Sequence, residues 1–441
     1  MFGLQLRPLN PKGDLNTSIF GCKPPSGVWG PVYIYNLAPK ITILRILVLL
    51  NRVPWPLNDG GAIGTYHFVK GYADAGCEVV CLAMNTVKHH VDMGQTGDAF
   101  KGIKSFITID VDNRIKPIDA ALNLLTDKSY VIERFNSKAY REALVKLLTG
   151  QTFDIIHIDG LPTCLYIDTC RQYSKAKLVQ RAHNVEYKIW ERAAAADTSA
   201  PKKWYLEIQA KRLKEFEKEA LAKVDTVLAI STEDEDFIHQ LQPKAKTIIV
   251  PAGIDIDESI PVVQPPGLSL FFIGALDWLP NLQGLEWFLK DIWPQIHTAF
   301  PDMKFHIAGK KMPQQFYNFT DMNVVAHGEV ASSVGFINSH SVLLSPLVSG
   351  SGVRIKIIEA MAMGKVVLST SVSAEGSGAK DGENILIANS VHAFIDQIRR
   401  LKTETGLMAR LSQNARTFAL DNFQNKKVIA RLLDYYKTLC N

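Results

Sequence analysis

A chain of 441 residues, 47% hydrophobic and 21% charged, is a folded protein too long for one ordinary domain, so two or three are expected. Its net charge of +5 is mild: it does not call for nucleic acid, and it suits a polyanionic small ligand or an anionic membrane surface. Six sparse cysteines without a C-x-x-C exclude a zinc ribbon or a dithiol redox motif and point to a reducing, cytoplasmic setting.

Residues 1–40 have no periodicity, carry several Pro and Gly, and lack a signal-peptide pattern, so they read as an extension, loosely ordered or wrapped on the surface. A first domain is expected over 41–260. Thr42 to Asn51 is a near-continuous apolar strand of the kind found inside a parallel sheet. A loop through Pro54 and Asp59-Gly60-Gly61 leads to a helix from Ala62 to Ala75, and Glu78 to Ala83 is the next strand. This βαβ opening lacks G-x-G-x-x-G and an acidic residue ending the second strand, which argues against a dinucleotide site. Gly60 and Gly61 before a helix start allow close backbone approach to a phosphate or sugar, though from this loop alone a plain strand–helix turn is the better reading.

Ile103 to Asp110, Asp154 to Asp159 and Leu178 to Asn184 read as further strands, with helices over Asp119–Leu125 and Ser137–Leu148. His183 sits at the carboxyl end of its strand, where ligands bind in open α/β sheets, and is a site candidate on that ground. Lys202 to Ala222 is a long charged helix with an apolar stripe of Leu206, Leu213, Phe216 and Ala220. Its Lys/Glu alternation is most simply a solvated face, and a basic membrane-surface role is the lesser reading. Thr226–Ser231 and Thr247–Val250 are short strands, and the Pro-rich stretch 261–267 is the linker.

A second βα series, over 268–424, begins with the strand Leu268–Ile273 and the loop Gly274 to Asn281. Leu282 to Phe300 is mostly helical, interrupted near Pro294, and strands follow at Lys304–Ala308, Asn323–Gly328, Ser341–Leu344, Val366–Ser369 and Asn384–Ala388. Residues 425–441 end the chain in a helix, Lys427 to Leu439, placed to reach back to the first domain. The stretch from Ser345 to Val367 organises the whole. Gly350, Ser351 and Gly352 lie in a loop, then a helix starts with Ile355, Ile358 and Ala362 on one face. Arg354 and Lys356 sit at that start, where a cation is unfavourable by roughly 0.3–1 kcal/mol. A bound di-anion reverses the sign. Lys356 and Glu359 share a face. A nucleotide diphosphate with ribose hydroxyls would use this set; a solvated helix start with a Lys–Glu pair accounts for it equally.

Taken in order, Asp59-Gly60-Gly61-Ala62, Ala182-His183-Asn184-Val185-Glu186, Val250 to Asp255, Phe272 to Asn281, and Gly350 to Val367 with Glu359-Ala360-Met361-Ala362-Met363-Gly364 resemble the GT-B-fold glycosyltransferases of family 4. The resemblance covers roughly 41–440. It implies two Rossmann-like parallel-sheet domains facing across a cleft, with the last helix crossing back to the first. It implies retaining transfer of a sugar from a nucleotide-diphosphate-sugar donor to a glycan, lipid-linked or small-molecule acceptor, as in polysaccharide biosynthesis. No cofactor is implied. Glu359 matches the second glutamate of the family's Glu-x7-Glu element and would hold the donor ribose. Gly350, Ser351 and Gly352 would present backbone N–H groups to the sugar and diphosphate. Gly60 and Gly61 would face the diphosphate, and His183 the reacting side of the sugar.

Two departures stand out. The element's first glutamate is replaced by Ser351, and the usual Arg and Lys after the second domain's first strand by the Asp277–Asn281 loop. Arg354 and Lys356 are the substitutes, in a Gly-x-Arg-x-Lys pattern like a known variant. With two cations and two helix starts, no metal is required. The alternatives are a nucleotide-sugar 2-epimerase of the same fold and a nucleotide-sugar-binding protein without turnover. The expected setting is cytoplasmic, with peripheral contact at the membrane's inner face left open.

Overall fold

The computed structural model describes residues 43–57, 60–255, 265, 267–349 and 352–441. The N-terminal extension, most of the linker, Asp59, Gly350 and Ser351 lie outside the described residues.

The first sheet holds β1 (Arg45–Leu50), β2 (Glu78–Thr86), β3 (Ser105–Val111), β4 (Ile155–Asp159), β5 (Lys177–Arg181), β6 (Thr226–Ala229) and β7 (Thr247–Ile249). Its order is β3-β2-β1-β4-β5-β6-β7, all parallel. The second sheet holds β8 (Leu270–Ile273), β9 (Phe305–Ala308), β10 (Val324–Gly328), β11 (Val342–Ser345), β12 (Val366–Ser369) and β13 (Leu386–Ile387). It repeats the arrangement as β10-β9-β8-β11-β12-β13, again parallel.

Why the strands read as unbroken apolar runs is visible in where they point. Leu47 and Leu49 of β1 enter one core, while Ile46, Val48 and Leu50 enter another on the opposite face. In the second sheet, Leu270 and Phe272 face one way and Phe271 the other. Helices cover both faces, so both sides of these strands are mostly apolar. The chain reverses direction between β1 and β4 and again between β8 and β11. Connections leave opposite ways there and open a crevice at the strands' carboxyl ends.

The last helix, Asn425–Cys440, sends Val428, Ile429, Leu432 and Tyr436 into the same core as Ile46 and Val48 of β1. It lies close to the first helix, Gly60–Asp74: a Cβ on Gly71 would come within 2.6 Å of the Ile429 side chain. The chain enters this crossing through backbone bonds from Ile254 N–H to Phe423 O (2.8 Å) and Asn425 N–H to Ile254 O (2.9 Å).

Several expectations need correction. The first helix begins at Gly60, so Gly60 and Gly61 are its opening residues and do not precede it. The expected helix over Asp119–Leu125 runs from Pro117 to Asn123, with proline in its first turn. β5 stops at Arg181, leaving His183 in the bend before the helix Glu186–Ala196. The break near Pro294 is a π-helical turn over Phe288–Ile292, the wide turn a proline forces by clashing with the carbonyl four residues before it. The long charged helix, Ala200–Lys223, buries Leu213 and Ala220 as expected, but Leu206 and Phe216 only partly, and it buries Gln209 and Glu217. Glu217 accepts backbone N–H bonds from Glu186 (3.2 Å) and Tyr187 (3.1 Å), serving the start of the neighbouring helix.

Candidate active site

The sequence places Arg354 and Lys356 where the chain leaves β11 at the second switch point. Arg354 is the N-cap of the helix Ile355–Ala362, and Lys356 its second residue. The single buried face expected from Ile355, Ile358 and Ala362 is broader in fact. Ile357, Ile358, Ala360, Met361 and Ala362 are all buried and Ile355 is half-buried, because the helix packs against both the sheet and the helix Leu407–Asn422. Gly352, at φ +82°, takes the left-handed turn into this helix, a conformation that favours glycine.

Both cations reach across to the loop that follows β8, the other arm of the crevice. Lys356 Nζ donates to Asn281 Oδ1 at 2.8 Å and stands 4.3 Å from the centre of the Phe272 ring. Asn281 is buried and donates in turn to Ala275 O at 2.9 Å, which fixes its amide orientation. The Arg354 guanidinium stacks over Trp278 at 5.4 Å and donates to Gly352 O at 2.7 Å. From their own helix start Arg354 and Lys356 thus reach the segment Asp277–Asn281, which stands where the resemblance leads one to expect an Arg and a Lys and which ends in the first turn of the helix Leu279–Trp287.

Burial, helped by the neighbouring Arg354 charge, brings the Lys356 ammonium down to about 7. Burial also lowers Arg354, against the opposing pull of Glu375. Among the described residues Lys356 has no carboxylate partner, and no ion pair joins it to Glu359. Glu359, exposed on the helix, makes no side-chain hydrogen bond among the described residues, and desolvation raises its pKa. A desolvated ammonium bonded to a neutral amide and facing another cation is costly, and an anionic ligand is a ready source of the opposite charge.

The first switch point carries a second constellation. Asp159, the last residue of β4, is fully buried and gathers four side chains. Thr65 Oγ1 donates to Oδ2 at 2.7 Å, Arg181 NH1 lies 3.1 Å from Oδ1, His183 Nε2 lies 3.0 Å from Oδ2, and His157 Nε2 stands 3.6 Å from Oδ1. Desolvation pushes the Asp159 pKa up, but the charges of His183 and Arg181 and the histidine hydrogen bonds outweigh it and hold the carboxyl well below its ordinary range. His183 Nε2 is also 3.3 Å from Arg181 NH1. An ionised Asp159 decides between these: Nε2 carries its proton and gives it to the carboxylate, which fixes the ring's tautomer and orientation. Behind it, His157 Nδ1 meets Tyr72 OH at 3.0 Å and Tyr436 OH at 3.3 Å, so the last helix is tied into the same network.

The two constellations face one another. A Cβ on Gly352 would sit 3.5 Å from Oδ1 of Asn184, the neighbour of His183. Gly60 opens the first helix, and among the described residues, its chain neighbours and own helix backbone aside, no atom lies within 4 Å of where its Cβ would be. Of the expected site residues, Gly352, Arg354, Lys356 and Glu359 form one cluster, and His183 belongs to the other; Gly350 and Ser351 lie outside the described residues. Sequence reasoning missed Asp159, Arg181 and Asn281. Asp159 ends a buried strand beside the switch point, and that position was its signal. Among the described residues no group of three or more His, Cys, Asp or Glu is arranged to hold a metal.

Residues 58–258 match the family described as Glycosyltransferase Family 4, and residues 267–404 match Glycosyl transferases group 1. An uncharacterized 44.6 kDa protein in the cps region of Klebsiella pneumoniae is 24% identical over 424 residues, spanning 88% of this chain and 98% of that protein. Sucrose-phosphate synthase from Thermosynechococcus elongatus has the same fold at a TM-score of 0.63 and 16% identity, with 90% of this chain and 99% of that one aligned. Anabaena HepE in complex with UDP gives 0.60 at 12% identity, over 90% and 100%. The lipopolysaccharide outer core galactosyltransferase WaaB gives 0.60 at 13% identity, also over 90% and 100%.

Proposed function

This chain belongs to the GT-B glycosyltransferases of group 1 and family 4, and from that premise we propose that it transfers a sugar from a nucleotide-diphosphate-sugar donor, with retention at the anomeric carbon and without a metal. The acceptor class is a glycan, a lipid-linked sugar or a small molecule. The observation that carries the donor reading is Lys356, a desolvated ammonium at about 7 whose charged neighbour is another cation. A diphosphate supplies the missing charge. HepE, a structural neighbour, is known in complexes with UDP and with UDP-glucose, which supports this donor class.

The chemistry follows from where charge develops. As the glycosidic bond to the diphosphate breaks, negative charge grows on the leaving oxygens and positive charge on the sugar ring. Arg354, Lys356 and the free N–H groups at the start of the Ile355–Ala362 helix stabilise the first in place, without reorganising. Glu359 accepts ribose hydroxyls. His183, held by Asp159, stands on the sugar's side of the cleft. Closing the two halves excludes water, so that transfer outruns hydrolysis.

The test is a thermal-shift screen with UDP-, GDP- and ADP-sugars and NAD, followed by nucleotide-diphosphate release with candidate acceptors. A nucleotide-sugar should raise the melting temperature and NAD should not. Release should persist in EDTA, and the product's anomeric proton coupling should match the donor's. Stabilisation by NAD alone would overturn the donor reading. Activity lost to EDTA and restored by Mn²⁺ would overturn the metal-free one, and an inverted product the retaining one.

A further inference from the structure

The helix Pro117–Asn123 is amphipathic in the wrong direction. The one side chain it buries is polar: Asn123 O and Oδ1 accept from Arg212 NH1 (3.0 and 3.2 Å), and Leu124 O accepts from Arg212 NH2 (3.1 Å). Its aliphatic side faces out. Ile118 and Leu122 share one face of the helix, Leu125 follows in the turn just beyond it and Ile115 precedes its start, and the four are 75, 59, 86 and 68% exposed. Leu125 exceeds every other large apolar side chain among the described residues. A folded chain leaves single leucines outside at little cost, but a ridge of four along one short exposed segment marks a contact surface.

We propose that this ridge docks the protein on an anionic lipid bilayer. The segment 112–134 is electrically balanced, with four basic against four acidic side chains. Attraction comes from the helix that holds it. Between Ala200 and Lys214 that helix carries Lys202, Lys203, Lys211, Arg212 and Lys214 against Glu207 alone, and Trp204 there is 56% exposed. Exposed aliphatic side chains, a lysine-rich helix bonded to their segment through Arg212 and an exposed tryptophan form the pattern of an interfacial surface, whose apolar side chains enter the boundary of headgroups and acyl chains. A protein interface would favour aromatic and arginine anchors and disfavour lysine. No helix among the described residues is long and apolar enough to cross a membrane, so the contact is peripheral. The ridge follows the carboxyl end of β3, the same end of the sheet from which Asp159 and His183 emerge. Docking therefore brings the rim of the cleft towards the bilayer, where a lipid-linked acceptor would lie.

The proposal is tested without nucleotide, so it stands or falls apart from the donor reading. The full chain is floated with vesicles of phosphatidylcholine alone and of phosphatidylcholine with about one third phosphatidylglycerol. Wild type should float with the anionic vesicles, less so in high salt. Ile118→Ser/Leu122→Ser/Leu125→Ser should weaken binding by roughly tenfold per side chain at an unchanged melting temperature, because these side chains are outside the core. Lys203→Glu/Lys211→Glu should bind weakly and lose the preference for anionic lipid. No flotation of the wild type, or equal flotation of the triple-serine variant, overturns the proposal. So does a wild-type dimer that the triple-serine change converts to a monomer, since the ridge would then be an interface between copies of the chain.

Discussion

Titration of Lys356 offers a direct test of the donor site. In the empty protein its ammonium ionises at about 7, because burial and Arg354 both disfavour the charge. A bound diphosphate provides the opposite charge and should return the group towards its ordinary value, near 10. The bound state then holds a proton that the empty state partly lacks, so affinity must rise as pH falls. With an empty-state value near 7, the protonated fraction drops from roughly three quarters at pH 6.5 to about 3% at pH 8.5. Donor affinity should weaken by roughly 25-fold over that range, about 1.9 kcal/mol.

Isothermal titration with a nucleotide-sugar is the assay, since its diphosphate has no proton of its own to exchange there. At pH 7, runs in buffers of different ionisation enthalpy should report uptake of about half a proton per donor bound. Arginine cannot lose its proton at these pH values, so Lys356→Arg should flatten the dependence whatever it does to affinity. Zero proton uptake by the wild type, or a pH dependence that survives in Lys356→Arg, would refute the reasoning and return Lys356 to a structural role.

Arg354→Ala should lower turnover by roughly 10²–10³ with a smaller change in donor affinity, because its contact strengthens as charge grows on the leaving group; Glu359→Ala should mainly raise KM, and steady-state kinetics separate the two. Asp159→Asn should slow turnover as His183→Ala does, while also destabilising the fold by roughly 3–5 kcal/mol through the uncompensated Arg181; Thr65→Val, which removes one bond to the same carboxylate, should stay within tenfold of the wild-type rate. Burial raises Glu217 to about 8, so its contribution to stability is complete below about pH 4.5 and is lost as pH rises through 8. Glu217→Gln does not titrate but keeps an acceptor for only one of the two N–H groups, which bond separate carboxyl oxygens, so its stability relative to wild type should rise from pH 5 to pH 8 by on the order of a few kcal/mol; parallel pH dependences of the two melting temperatures would show that the carboxyl is not buried as described.

What could be read from the sequence depended on whether a residue's partners are local. The strands were legible because a parallel sheet buries both faces, and Leu47 and Val48 in opposite cores leave the same mark in the sequence: an unbroken apolar run. Arg354 and Lys356 were legible because a cation at a helix start breaks a local rule. Asn281 was not. It holds Lys356 from 75 positions away, and an asparagine in the first turn of a helix has an ordinary local explanation. Glu217 failed for the same reason in reverse: among lysines and glutamates on a long helix it looks solvated, and only the backbone of another helix start makes it buried.

His183 was legible as a site candidate; Asp159, the partner that orients it, was not. Each stood at the end of an apolar strand, and only the spatial adjacency of β4 and β5 puts Oδ2 3.0 Å from Nε2. That adjacency carries a functional consequence. In the sheet register Asp159 pairs with Arg181, so the guanidinium beside the carboxylate is a neighbour across the strands and His183 reaches back over it from the bend. Together with His183, Arg181 keeps Asp159 ionised, and Asp159 in turn keeps the proton on Nε2 of His183. A histidine at a strand end is most often structural. One oriented by a buried, charge-compensated carboxylate at a switch point is set up to act on something outside the fold.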